Sequence, residues 1–421
     1  MNKKSIFAWC LFDWGNSAFS TVIITFIFSV YFARGVVGDE TYGAALWGYA
    51  LAASGILIAL LSPPLGAIAD DYGARKKFLT VFSLLCVVPT ALLWFAAPDP
   101  SWSNILLVLA LVVIANVGFE IALVFSNAML PAIAPAHMIG RISGWAWGLG
   151  YMGGLFCLVL SLLALVGLGD IKPLIALPQE NSEHIRATAP LVALWYLLFL
   201  IPLLLFTTDN QRTGLSMSQA ARKGFADMLH TLKNLRDYKN LATFMAASMI
   251  YRDGLNTLFA VGGLYAAGTL GMSFEQILIF AIGLNVTAGI GAAGFAWLDD
   301  GIGSKRTIMI ALAGLIVTGI GIIFVEDVTL FIGLALVLGI FLGPVQSASR
   351  TLAARLAPPA MINQVYGFYG LTGKAISFAG PLLFAVATQA FDSQRAGIAT
   401  IIVFWVVGMV LLIKVREPQK A

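Results

Sequence analysis

Long apolar runs alternate with short polar connectors along this chain. A helix needs about 20 residues to cross the hydrocarbon of a bilayer. The runs read as twelve such helices, six near 7–32, 42–68, 78–97, 104–130, 142–168 and 189–206, and six near 241–267, 273–298, 307–325, 329–349, 363–390 and 396–413. Pro98 and Pro100 break the third run, and Pro131 and Pro135 close the fourth. The fifth holds Gly144, Gly148, Gly150, Gly153 and Gly154, a density that lets helices approach closely in lipid. The first run is too long for a cleaved leader, contains Asp13 and lacks a small-residue cleavage site. One connector, 207–240, is long and polar. In it Phe225, Met228, Leu229, Leu232 and Leu235 recur every three or four residues among Arg212, Arg222, Lys223, Lys233, Arg236 and Lys239. That spacing predicts an amphipathic helix on the membrane surface. The expected division is a bundle over 1–206, a linker over 207–240 and a second bundle over 241–421.

Composition sharpens the class. Hydrophobic residues make up 59% of the 421 positions and charged residues 11%, with a mean hydropathy of +0.90. Soluble domains carry about 25% charged residues, so this is an all-α integral membrane protein in contact with the lipid bilayer. The net charge of +4 sits in connectors rather than on one face, which argues against nucleic acid as a partner. Threading twelve spans puts nineteen Lys and Arg, Lys420 among them, on one side and four on the other. The basic side is cytoplasmic, so both termini are expected there, in the cytoplasmic (inner) membrane. Cys10, Cys86 and Cys157 lie apart in apolar runs and suit neither a disulfide framework nor a metal site. No metal and no cofactor is expected, and a monomer is.

The halves repeat. DWGNSAF at 13–19 answers DGLNTLF at 253–259, and APAHMIGRISG at 134–144 answers APPAMINQVYG at 357–367. GAIADDYGARKK at 66–77 answers AWLDDGIGSKR at 296–306. The offsets of 240, 223 and 230 residues differ only by loop lengths. In the last pair an Asp (Asp70, Asp300) precedes a Gly (Gly73, Gly303) by three residues, and bases follow, Arg75 and Lys76 in the first copy. Read as a short turn, the motif uses Gly for positive φ and the Asp to accept from free amides at a helix N-terminus.

This double loop resembles the hallmark of the major facilitator superfamily, with Ala296 where the first copy has Gly66. The stretches WCLFDWGNSAFSTVIITFIFSVYF, YRDGLNT and YGFYGLTGKAISFAGP are similar to the branch that includes the fungal autophagy-related vacuolar amino-acid effluxers. The resemblance implies two six-helix bundles, a central cavity lined by helices 1, 4, 7 and 10, and loops that latch one conformation.

Ionisable residues inside spans are functional candidates. They are Asp13, Glu120, Arg252, Asp253 and Lys374, with Asn16 and Asn256 one turn from the two Asp residues. Trp14, Trp145, Tyr151, Tyr251 and Tyr369 are candidate cavity aromatics. Asp13 and Asp253 are repeat-related and could equally hold the halves together. Glu120 and Lys374 have no charged counterpart in the other half, which favours a role in function: Glu120 as the proton carrier, Lys374 as its charge partner in one state. All three His lie in connectors and no nucleophile pairs with a base inside a span, so an enzyme is not expected. The reading is a secondary transporter of a small solute, an amino acid or similar zwitterion, with protons as coupling ion. The alternative is an exporter of an amphipathic compound, drug or lipid.

Overall fold

The computed structural model describes residues 2–167, 171–209, 213–234 and 236–418. Leu168, Arg212, Leu235 and Lys420 of the sequence reading lie outside these residues. The first half of the chain holds α1 (Lys3–Val37), α2 (Glu40–Tyr72), α3 (Arg75–Phe95), α4 (Trp102–Ile133), α5 (Ala136–Val166) and α6 (Glu183–Phe206). The surface helix α7 (Met217–Lys233) follows, opened by a capping box between Ser216 and Gln219. The second half holds α8 (Lys239–Leu270), α9 (Phe274–Gly294), its short continuation α10 (Ala296–Ile302), α11 (Ser304–Phe324) and α12 (Val328–Leu356). It ends with α13 (Ile362–Ala375), α14 (Ala379–Phe391) and α15 (Gln394–Ile413). Counting α9 with α10 and α13 with α14 as single crossings gives twelve spans. Eleven are long and apolar enough to cross a bilayer by length and composition. The twelfth, α8, has the length, but Arg252, Asp253 and Asn256 interrupt its apolar run.

Several expected boundaries shift for physical reasons. Pro131 does not close α4, which runs on to Ile133; prolines are tolerated in buried membrane helices. The eleventh span, expected to be continuous, leaves helical geometry at Ile376, with φ −119° and ψ 15°. Pro381 has no N–H to return to the Ser377 carbonyl, which removes one bond that would bridge the break. The anchor stretches are helical for most of their length. Asp70 and Asp300 sit in the last turns of α2 and α10, and only Gly73 (φ 74°), Ala74 (φ 52°) and Gly303 (φ 99°) make the turns. On α7 the expected apolar face divides: Met228 is buried, whereas Phe225, Leu229 and Leu232 are exposed.

The chain forms two compact units. The first comprises Met1–Leu61, Gly73–Met129 and Leu149–Gly214; the second comprises Ser62–Tyr72, Leu130–Gly148 and Leu215–Ala421. In the first, α6 packs against α1 and α3. Glycines on α5 let backbones touch: a Cβ on Gly153 would stand 2.2 Å from the Trp14 carbonyl oxygen, and one on Gly150 2.9 Å from Ser17 Oγ. In the second, α8 packs on α15, and α12 lies between α9 and α11. Gly291 and Gly343 do there what Gly153 does in the first unit, meeting the carbonyls of Ile340 and Ala288.

At Gly153 a side chain would meet backbone, which cannot swing aside. Gly153→Ala is expected to destabilise the first unit by about 1–3 kcal/mol, read as a lower thermal midpoint in detergent. An unchanged midpoint would mean that α1 and α5 separate at no cost.

Candidate functional site

The sharpest polar geometry in the second unit is a pair of carboxylates, each set on the start of a helix. Asp70 Oδ1 accepts from the Asn363 backbone N–H at 3.1 Å and from its side-chain Nδ2 at 2.6 Å. Asp70 Oδ2 accepts from the Gln364 N–H at 2.8 Å, in the first turn of α13. Asp300 makes the repeat-related contact with the helical part of α5. Its Oδ1 accepts from the Gly140 N–H at 2.8 Å, and its Oδ2 from the Arg141 N–H at 3.1 Å and Nε at 2.7 Å. The first amides of a helix have no partners inside it, and the helix dipole favours an anion beside them.

Small residues bring the backbones close enough. A Cβ on Gly66 would lie 2.4 Å from the Asn363 carbonyl, and one on Gly367 2.4 Å from that of Ser62. In the other copy Gly144 faces the Ala292 carbonyl at 2.5 Å and the Ala296 methyl at 2.6 Å. Ala296 thus fills part of the space that Gly66 leaves open, and the close approach comes from Gly144 across the contact.

In the second copy the carboxylate lies among charges. Asp300 is paired with Arg141, and Arg355 reaches it at 3.8 Å, Asp299 at 3.1 Å and Glu417 at 2.7 Å. Arg350, 3% exposed, ties α12 to α5 by donating to Ser143 Oγ at 2.9 Å and to the Ser143 carbonyl at 2.6 Å, with Trp147 under its guanidinium. Tyr366 donates to the Arg350 carbonyl.

A second repeated device was missed in the sequence. In the first unit the Lys76 N–H donates to Asp209, and Lys76 Nζ donates to the Leu204 and Thr207 carbonyls at the end of α6. In the second unit Glu417 accepts from the Ser304 and Lys305 amides, and Lys305 Nζ donates to the Ile413 carbonyl at the end of α15. The signal was present: an acid stands a few residues beyond the last helix of each half. Arg75 is buried and donates to the Ala128 carbonyl at 2.8 Å, a structural bond within the first unit.

The intramembrane candidates divide between the units. In the first, Asp13 and Asn16 are buried on α1, and Asn16 Nδ2 has no hydrogen-bond partner among the described residues. Glu120 is half-buried on α4, one turn from Asn116, which donates to Ser54 Oγ at 2.6 Å. Trp14 sits in an aromatic cluster with Phe156, Trp195 and Phe199. Tyr151 is half-buried on α5.

In the second unit adjacent residues of α8 grip both sides of the break in the eleventh span. Arg252 donates to the Tyr369 carbonyl at 2.9 Å and lies 4.1 Å above its ring, against Gly373. Asp253, 2% exposed, accepts from the Gly380 N–H at 2.9 Å. The base bonds a carbonyl in the second half of α13, six residues before its end, and the acid bonds an amide in the first turn of α14, where the helix dipole favours an anion. Asp253 Oδ1 has no hydrogen-bond partner among the described residues. Lys374 is half-buried beside the break, and Asn256 is exposed. Trp145 meets Trp297 edge-on. Tyr251 is fully buried with its hydroxyl 2.6 Å from Ser349 Oγ, so it is a core residue and lines no cavity.

A family model described as "Vacuole effluxer Atg22 like" matches residues 35–421. The uncharacterized MFS-type transporter YxiO of Bacillus subtilis is 29% identical over 97% of this chain and 94% of its own. Autophagy-related protein 22 of Coccidioides immitis is 22% identical over 86% of this chain and 70% of its own. Among solved structures, the proton:xylose symporter XylE superposes with a TM-score of 0.71 at 16% identity, covering 99% of this chain and 97% of that one. The human organic anion transporter MFSD10 gives 0.72 at 18%, covering 98% and 99%. These likenesses establish the twelve-helix, two-bundle major facilitator fold.

Asp300→Asn strips a carboxylate from two guanidiniums and is expected to lose about 3 kcal/mol. A lower thermal midpoint of the variant in detergent checks this, and an unchanged midpoint would contradict it.

Proposed function

Because the chain belongs to the family of Atg22-like vacuole effluxers, we propose that it is a secondary transporter of a small zwitterionic solute, such as an amino acid, driven by protons. It works by alternating access in the cytoplasmic membrane, with both termini in the cytoplasm. The observation that carries this reading is the pair of repeat-related carboxylate contacts. Each joins a segment of the first half of the sequence, 62–72 or 130–148, to a helix of the second half. An alternating-access carrier needs contacts that form in one conformation and part in the other. Contacts made of a few hydrogen bonds to helix ends suit this, because they are specific yet each is worth only about 1–2 kcal/mol. Their loss shifts the balance of states without touching the substrate. The nineteen bases on the side where Asp70 and Asp300 lie support a cytoplasmic position for both contacts.

The substrate class rests on the paired charges. Arg252 and Asp253 are neighbours at mid-span, and Asp13 and Glu120 are carboxyls within the first unit. Groups of both signs at that depth match a solute that carries both. Repeat rocking about a mid-membrane site is the mechanical scheme such folds use. Glu120, without an acidic counterpart in the second half, is the proton carrier in this reading.

Purified protein in proteoliposomes tests the proposal. Counterflow of one or more amino acids is expected, accelerated by a pH gradient. Asp70→Asn should slow transport several-fold and leave substrate affinity nearly unchanged, since the contact is remote from the mid-span charges. Glu120→Gln should abolish gradient-driven accumulation and spare counterflow, because exchange moves no net proton. Full accumulation by Glu120→Gln would move the coupling role to Asp13 or Asp253. Binding without counterflow of any solute would make the chain a sensor.

A further inference from the structure

The surface helix α7 is seated on the Asp70 contact by one face and leaves another face unpaired. Its buried face carries Ala220, Gly224, Met228 and Thr231. Gly224 lies against the α2 backbone, where a Cβ would stand 2.7 Å from the Ile68 nitrogen and 2.8 Å from the Ala67 carbonyl carbon. Lys223 forms an ion pair with Asp71, and the bonds to Asp71 and Asp227 push its pKa up. Gln364, whose backbone N–H is bonded to Asp70, also donates from Nε2 to Thr231 Oγ1 at 3.3 Å. The helix therefore holds both partners of that contact, the end of α2 and the start of α13.

About a quarter-turn round from the buried face, at 100° per residue, runs a row of exposed apolar side chains. Phe225 is 51% exposed, Leu229 39% and Leu232 42%. Beside this row, on the side away from the protein, stand exposed Arg222 and Lys233. Asp227, the acid of the helix, is turned to Lys223 and away from the row. An apolar ridge with bases on its outer rim is the geometry that enters the boundary between headgroups and acyl chains. The bases select the sign of the headgroup. In an integral membrane protein the occupant at hand is lipid of the adjoining leaflet, and the charge commits it to an acidic phospholipid.

We propose that α7 is a binding site for acidic phospholipid, and that the bound lipid holds the Asp70–α13 contact closed. Phe225, Leu229 and Leu232 lie in the upper acyl region, and Arg222 and Lys233 take the phosphate oxygens. Lipid that binds α7 more tightly in its seated position than away from it favours the conformation in which Thr231 meets Gln364. The site does not depend on what the chain transports.

The test uses the full chain in nanodiscs of phosphatidylcholine, alone or mixed with phosphatidylglycerol. The three native cysteines are buried, so a bimane label can be placed selectively on Leu229→Cys. Its emission should shift to the blue as phosphatidylglycerol is added, and hydrogen exchange at the amides of Asn363 and Gln364 should slow in parallel. Each base near an acidic surface contributes about 1 kcal/mol, so each of Arg222→Gln and Lys233→Gln should raise the half-maximal phosphatidylglycerol fraction about fivefold. Lys223→Gln removes the same charge from the seated side and should leave the lipid preference in place while speeding exchange at Gln364.

Three outcomes overturn the proposal. An equal blue shift in phosphatidylcholine alone means apolar insertion without headgroup recognition. Equal loss of preference in Lys223→Gln means general charge attraction. A lipid-dependent shift without any change in exchange at Asn363 and Gln364 means that the helix binds lipid but does not act on the contact.

Discussion

A carboxylate held by the free amides of a helix start is the interaction around which the polar contacts of the second unit are arranged. Asp70 and Asp300 each find such a start, on α13 and α5, and each is the acceptor for donors that no backbone partner satisfies. The surrounding features serve that approach. Gly66, Gly144 and Gly367 remove the side chains that would hold the backbones apart. Gly73 and Gly303 end the helices immediately after the carboxylates, with positive φ. Lys76 and Lys305 fix the next helix to the carbonyl end of a neighbour. An anion at a helix start is worth only about 0.3–2 kcal/mol, so the contact is specific without being permanent. That magnitude suits the opening that the proposed alternating access would require.

The same logic recurs at mid-span on a smaller scale. The eleventh span is broken before Pro381, and a new helix start is left inside the second unit. Asp253 accepts from the Gly380 N–H at that start, while Arg252 packs on Tyr369 and its carbonyl before the break. An Arg–Asp dipeptide in an otherwise apolar helix looks costly in isolation. Set against a broken neighbour, its acid satisfies an amide that would otherwise be buried without a partner.

Much of this was legible in the sequence because membrane helices write themselves in long apolar runs and repeats write themselves twice. The twelve spans, the surface helix and the paired Asp–Gly stretches are all local patterns. The partners of Asp70 and Asp300 lie 293 and 160 residues away, at Asn363 and Gly140, and no local pattern names them. The two halves do align APAHMIGRISG with APPAMINQVYG, which places both partners in repeated segments. The break in the eleventh span was written in Gly380–Pro381, yet Pro131 in α4 carries a similar signal and leaves that helix intact. What separates them is tertiary: at the eleventh span Asp253 of α8 receives the amide of the new helix start, which the chain alone does not reveal. Tyr251 misled because an aromatic beside two charges in a span reads as cavity lining, whereas its side of α8 faces the core.

The backbone repeats almost faithfully across the two carboxylate contacts, and around Asp300 the contact is built into a cluster with Arg141, Arg355, Asp299 and Glu417. Mobile ions screen pairs of full charges where they reach solvent, and Arg141 keeps part of its side chain there. Ionic strength therefore acts on this contact. A joint made of charges gives the surroundings of the protein a handle on its strength.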